Sequence, residues 1–223
     1  HHISDSISRF TIENGLNSNN ISHLSVFKKQ LMISYLEGGI SSIDLTNLNL
    51  RVSTNSENIT VNDFYNFNDS LLYIGTNNGV KVLNNNKFSS VGEKLDGKVI
   101  SSVLCQSPNL IWVGTKGDGL YSVQYTNQKE LVTNYVNNPL DLSSLTSNVV
   151  NDIIQDFSGS IWVTTQEGVS YFDPLKQNFN LITNNLGGEK AIMDKNVWSI
   201  YEESNDKVWV GNRKGISIID IES

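Results

Sequence analysis

Three observations predict an all-β chain, namely a β-propeller of about five four-stranded blades or a fragment of a larger propeller. An aromatic residue or Met recurs at Met32, Tyr73, Trp112, Trp162 and Trp209, at spacings of 41, 39, 50 and 47 residues. A glycine keeps step with it at Gly39, Gly79, Gly119, Gly168 and Gly215, at spacings of 40, 40, 49 and 47. Around both anchors apolar residues alternate with a period of two, and β-branched and aromatic side chains predominate. A repeat in the forties with that alternation has the size of one antiparallel blade; a helical solenoid of similar period would space its apolar residues by 3.6.

Each copy follows one grammar: an alternating strand, a polar turn, a second strand centred on the anchor, a short loop ending in Gly, and a third strand. The copies run ISHLSVFKKQLMISYLEGGISSID at 21–44, VNDFYNFNDSLLYIGTNNGVKVL at 61–83 and VISSVLCQSPNLIWVGTKGDGLYSV at 99–123. Two more follow, VVNDIIQDFSGSIWVTTQEGVSYFD at 149–173 and VWSIYEESNDKVWVGNRKGISIID at 197–220. Fourth strands are the least regular, with candidates at 87–91, 131–136 and 178–183. Blades accordingly span about 20–60, 61–98, 99–148, 149–195 and 196–223 of a single domain covering 1–223. The last blade lacks a fourth strand, and ISRFTI at 7–12 is expected to supply it and close a ring of five; the same pattern would arise in a segment cut from a larger propeller.

The anchors have structural work to do. Tyr73, Trp112, Trp162 and Trp209 offer broad faces to pack between neighbouring blades. Gly75, Gly114 and Gly211, two residues on, leave room where backbones converge. Gly79, Gly119, Gly168 and Gly215 supply the positive φ of the turn into the third strand. Trp198, in a first strand, is expected in the core as well.

A formal net charge of −7 and the lack of a Lys/Arg cluster argue against nucleic acid. No apolar run approaches the ~20 residues of a bilayer span, so membrane insertion by this segment is not expected. His1 and His2 resemble the remnant of an affinity tag, which implies a segment of a longer chain. Cys105, the single cysteine, allows no intrachain disulfide and falls in an alternating apolar run, where a buried, inert thiol is expected.

The string of first strand, acidic-polar turn, I-W-V-G-T, glycine loop and aromatic-Asp resembles the two-component-regulator propeller repeat. It is carried by LIWVGTKGDGLYSV, NVVNDIIQDFSGSIWVTTQEGVSYFD and NVWSIYEESNDKVWVGNRKGISIID, with NPLDLSSLTSN at 138–148 similar to that family's inter-blade connector. The resemblance implies the periplasmic region of a membrane-spanning hybrid sensor histidine kinase of the Bacteroidetes type, which senses oligosaccharides. Its usual seven blades differ from the five here. It also implies further domains of a parent sensor as partners, with a possible homodimer. A diguanylate cyclase as output domain, or a protein-interaction and dimerisation scaffold, are the alternatives.

No catalytic constellation is visible, and neither a cofactor nor a metal is expected: there is no H-E-x-x-H, C-x-x-C, G-x-S-x-G or phosphate-cradling glycine loop. His23, the one internal histidine, is expected to be structural or at the surface. Asp152, Asp156, Glu202 and Glu203 are expected to be solvated beside first-strand turns. A ligand would meet the face where second-to-third-strand turns and blade connectors gather. The tips there are Glu37, Asn77, Asn78, Lys116, Asp118, Gln166, Glu167, Arg213 and Lys214, whose amides and charges suit sugar hydroxyls or an anionic glycan.

Overall fold

The structure, a computed structural model, describes residues 9–53, 59–85, 87–126, 129–141, 143–174, 180–183, 191–204 and 207–220. Period-two alternation produces strands throughout, joined into five antiparallel sheets. Blade 1 comprises β1 (Ile21–Phe27), β2 (Gln30–Tyr35), β3 (Ile40–Asp44) and β4 (Leu50–Ser53). Blade 2 comprises β5 (Val61–Phe67), β6 (Leu71–Thr76), β7 (Gly79–Asn84) and β8 (Lys87–Val91). Blade 3 comprises β9 (Ile100–Ser107), β10 (Leu110–Thr115), β11 (Leu120–Thr126) and β12 (Lys129–Tyr135). Blade 4 comprises β13 (Val150–Gln155), β14 (Ile161–Thr165), β15 (Gly168–Phe172) and β16 (Asn180–Ile182). Blade 5 holds β17 (Val197–Ser204), β18 (Lys207–Asn212) and β19 (Gly215–Asp220). Within every sheet the strands lie in chain order, each paired with the next.

First strands pack on first strands, β1 on β5, β5 on β9, β9 on β13 and β13 on β17, which sets the sheets around an axis as propeller blades. The core is correspondingly divided into layers between blades. In the layer between blades 3 and 4, Trp112 and Leu120 lie against Val150, Ile153, Ile161 and Val163. Between blades 4 and 5, Trp162 and Val169 lie against Val197, Ile200, Val208 and Val210. Met32 and Tyr73 do the same for the two preceding layers. One face of each blade thus presents its anchor and the residue after the loop glycine, and the next blade answers with its first two strands. Cys105 is buried in the layer between blades 2 and 3, and burial pushes its thiol up.

Glycine is demanded at two places by geometry. At Gly114 a Cβ would lie 2.5 Å from Val150 Cγ1 of the next blade. At Gly119, with φ 86°, an added Cβ would collide with the Tyr135 carbonyl of the fourth strand.

Residues 7–12 do not close the fifth blade over their described part; residues 7–8 lie outside the described residues. Arg9–Thr11 form no strand and Ile12–Asn14 form a 3-10 turn. The reason is local: Asn14 Oδ1 accepts from Thr11 N at 2.5 Å, Thr11 Oγ1 accepts from Glu13 N at 3.3 Å, and Gly15 ends the turn at φ 112°. Phe10 and Leu16 then pack against Ile33, Tyr35 and Ile43, so this segment belongs to blade 1. Among the described residues β17 has no comparable packing on β1. Blade 5 also exposes Tyr201, Ile216 and Ile218.

Candidate ligand site at the channel

In blades 2 to 5 the first strand begins with an apolar residue buried between blades and continues with side chains that meet the axis, whereas Ile21 of blade 1 is exposed. His23, Asn62, Ser101, Asn151 and Trp198, one from each blade, line a cavity of about 290 Å³ together with Lys116. Trp198 is therefore not a core residue: its indole is 56% exposed. Its counterparts by position in the repeat are Asn62, Ser101 and Asn151, so alternation sends it towards the channel; hydrophobicity alone misassigns it.

The same positions latch one blade to the next. Asn62 Nδ2 donates to the Ile100 carbonyl at 2.8 Å, and Asn151 Nδ2 donates to the Val197 carbonyl. His23 makes a backbone hydrogen bond to Val61; burial and the Lys116 charge lower its pKa, and that hydrogen bond opposes them. Ser101 is too short for the equivalent bond, and its hydroxyl is buried without a partner.

One residue further along, the side chains turn from the axis into the blade junctions. Asp63 Oδ2 accepts from Val103 N of the next blade at 2.7 Å. Burial pushes this carboxyl up to about 6, the Val103 bond opposes the rise, and the neighbouring Asp152 charge adds to it. Asp152 accepts from Ile153 N at 2.8 Å, from Ser102 Oγ at 3.2 Å and from the Ile200 backbone of the next blade, and burial raises it too. The pair Asn-Asp at 62–63 and at 151–152 is thus a two-pronged latch that was visible in the sequence as a repeated dipeptide.

Of the four acids expected to be solvated, Glu203 is exposed and Asp156 is buried, and all four accept hydrogen bonds. Asp156, 8% exposed, accepts from Trp162 Nε1 at 2.7 Å. Glu203 Oε2 accepts from Trp209 Nε1 at 2.7 Å, and Gln106 Oε1 from Trp112 Nε1 at 2.8 Å. Each acceptor lies six residues before its Trp, the offset that the intervening hairpin brings opposite the indole. Glu202 Oε1 accepts from Phe157 N of blade 4 at 2.9 Å.

The turn tips do gather with the connectors, but most of them are used to hold those connectors. Asn77 exchanges two bonds with Thr60, its N donating at 3.0 Å and its Oδ1 accepting at 3.2 Å. Asn78 Oδ1 accepts from Gly97 N at 2.9 Å. Asp118 pairs with Lys98 at 3.0 Å, Glu167 with Lys195 at 2.6 Å, and Lys214 with Asp194 at 4.0 Å. Gln166 N donates to the Val149 carbonyl at 3.3 Å, Asn20 Nδ2 donates to Glu37, and Arg213 is exposed. Beneath the tips a hydroxyl missed by sequence reasoning fixes the turn. Thr76, Thr115 and Thr165, all buried, donate to the carbonyls of Gly79, Gly119 and Gly168 at 2.7, 2.7 and 3.1 Å. Of the expected ligand contacts only Lys116 lines the cavity.

A family described as "Domain of unknown function (DUF5074)" matches residues 47–208. The chain belongs to this DUF5074 family. No curated protein matches it in sequence. Among solved structures, this DUF5074 chain is similar to the extracellular domain of the putative hybrid two component system BT4673 from B. thetaiotaomicron. Identity there is 18%, TM-score 0.71, with 92% of this chain and 27% of that one covered. PorZ, a bacterial surface component of the type-IX secretion system of Porphyromonas gingivalis, is 14% identical at TM-score 0.69, covering 90% and 32%. The β-propeller domain of Myceliophteria thermophila Cps50 (Swd1) is 11% identical at TM-score 0.67, covering 93% and 67%. At these identities the likeness is one of fold, the β-propeller, and the chain spans less than a third of the first two structures. No helix among the described residues is long and apolar enough to cross a membrane.

Proposed function

We propose that this chain is an extracytoplasmic, ligand-sensing propeller segment of a hybrid two-component sensor histidine kinase, which takes an oligosaccharide and performs no chemistry itself. The observation that carries this reading is the cavity ringed by one side chain from each of the five blades. Amides, a hydroxyl and an exposed indole are the groups that hydrogen-bond sugar hydroxyls and stack on a pyranose face. Because Asn62, Asn151 and His23 also tie blade to blade, a molecule bound there bears on the relative position of the blades. That is what a population shift relayed to neighbouring domains requires. The likeness to an extracellular domain of a putative hybrid two component system, and to a surface component, supports a periplasmic location. A thermal-shift screen of this chain against a broad oligosaccharide panel tests it. Stabilisation of about 1 kcal/mol or more at modest excess, lost in Trp198→Ala, is expected; silence across the panel sinks it.

The scaffold reading, docking or dimerisation without a small ligand, is favoured by one observation, the exposed Tyr201, Ile216 and Ile218 of blade 5. Light scattering separates the two. A dimer that Tyr201→Glu dissolves supports the scaffold, and a monomer indifferent to that change removes it.

A further inference from the structure

We infer that the channel cavity selects an acidic saccharide, one carrying a carboxylate on the ring that lies against Trp198. This rests on the cavity being the ligand site and specifies its chemistry.

The argument is electrostatic and begins with the lysines. Among the turns and connectors on this face, Lys98, Lys195 and Lys214 each have an acid within 4.0 Å. Lys116 has no ion-pair partner among the described residues, and it is the lysine that lines the cavity. Its backbone is fixed, with its N donating to the Val99 carbonyl at 3.0 Å, so the free ammonium stands on a held turn.

The acids nearest the axis do not compensate it. Asp63 and Asp152 follow the lining residues Asn62 and Asn151 in sequence, but they point into the blade junctions. There they are occupied by Val103 N, and by Ile153 N, Ser102 Oγ and the Ile200 backbone, respectively. Among the described residues no carboxylate lines the cavity. In a chain with net charge −7 the described lining carries a cation and no carboxylate. A cation beside neutral amides, a hydroxyl and an indole is complementary to a sugar ring that bears one anionic group.

Titration calorimetry on this chain with tetragalacturonate and its fully methyl-esterified form tests the inference, because the ester removes charge while keeping the ring. The acid is expected to bind about tenfold more tightly, the worth of one charge-assisted contact. Lys116→Met should erase the difference, Lys116→Arg should retain it, and Trp198→Ala should weaken both ligands. Unchanged melting of the Lys116 variants establishes that they fold. An ester that binds as well as the acid overturns the acidic preference and leaves the site standing. A preference that survives Lys116→Met overturns the role of Lys116. Failure of both ligands, together with silence across the oligosaccharide panel, removes the site itself.

Discussion

Trp162 in blade 4 and Trp209 in blade 5 occupy the same place in the same repeat, and their indoles make the same bond. Each donates Nε1–H to a carboxylate six residues upstream at 2.7 Å. Trp162 is 2% exposed, stacked on Tyr171 at 4.7 Å and covered by the valines of blade 5. Trp209 is only partly buried, on a face where Ile216 and Ile218 are exposed. A blade therefore specifies its own hydrogen bonds, while the burial that stabilises it is supplied by its neighbour. The consequence is that identical substitutions in successive blades should have unequal costs.

The largest contrast is expected from the tryptophans themselves. Trp162→Ala should cost about 3–5 kcal/mol, since it empties the layer between blades 4 and 5 and removes the indole donor to Oδ2 of the buried Asp156. Trp209→Ala should cost about 2 kcal/mol, because part of its face is already in water. Urea denaturation of the two variants measures the gap. Equal losses would show that burial by the next blade is not what distinguishes these positions.

The junctions offer a second contrast, with pH as the readout. At the equivalent place Asp63 serves the junction of blades 2 and 3, and Ser102 that of blades 3 and 4. Asp63 is raised from 3.8 to about 6 by burial. Between those values the folded chain holds a proton that the unfolded chain has released, so its contribution to stability declines as pH climbs through that window and is lost above it. At neutral pH the loss is up to about 3 kcal/mol. Asp63→Asn keeps an oxygen for Val103 N and removes the charge. It should be more stable than the parent at pH 7 by about 1–3 kcal/mol, and the advantage should vanish near pH 4. An advantage that stays constant with pH would refute the buried-carboxylate account.

How much of this was legible beforehand differs between backbone and site. The anchors and loop glycines encoded the blades, because a strand's face and a turn's positive φ are decided by residues close together in sequence. Trp198 was misplaced for an instructive reason: an indole looks like core until its register is compared with Asn62, Ser101 and Asn151. Asp152 and Asp156 looked solvated because their partners, Ile200 in the next blade and Trp162 across a hairpin, are remote in sequence or hidden by the turn. Residues 7–12 alternate like a strand, yet the Thr11 and Asn14 side chains capture the backbone first.

Glycines in the second strands give a smaller contrast. A Cβ at Gly114 meets Val150 Cγ1 at 2.5 Å across a packed junction, whereas one at Gly211 meets Ser199 Oγ of its own blade at 2.5 Å. Gly114→Ala should destabilise by about 2 kcal/mol, because Val150 is buried and cannot retreat. Gly211→Ala should cost less than about 1 kcal/mol, since the exposed Ser199 side chain can rotate away. Melting curves that rank them the other way would mean that blade 5 is as tightly confined as blade 3.

The smallest effect should be a gain. Asn62 and Asn151 each reach the carbonyl of the next first strand, while Ser101 at the matching place leaves a buried hydroxyl unpartnered. Ser101→Asn supplies the missing donor towards the Val150 carbonyl, and the longer side chain has the cavity that Ser101 lines to grow into. The added bond should stabilise the chain by about 1 kcal/mol. It should also narrow the cavity, so a ligand bound against Trp198 ought to weaken as the fold strengthens. A Ser101→Asn variant that melts earlier than the parent would show that the junction of blades 3 and 4 is held by Ser102 and Asp152 in a geometry that excludes the latch used on either side of it.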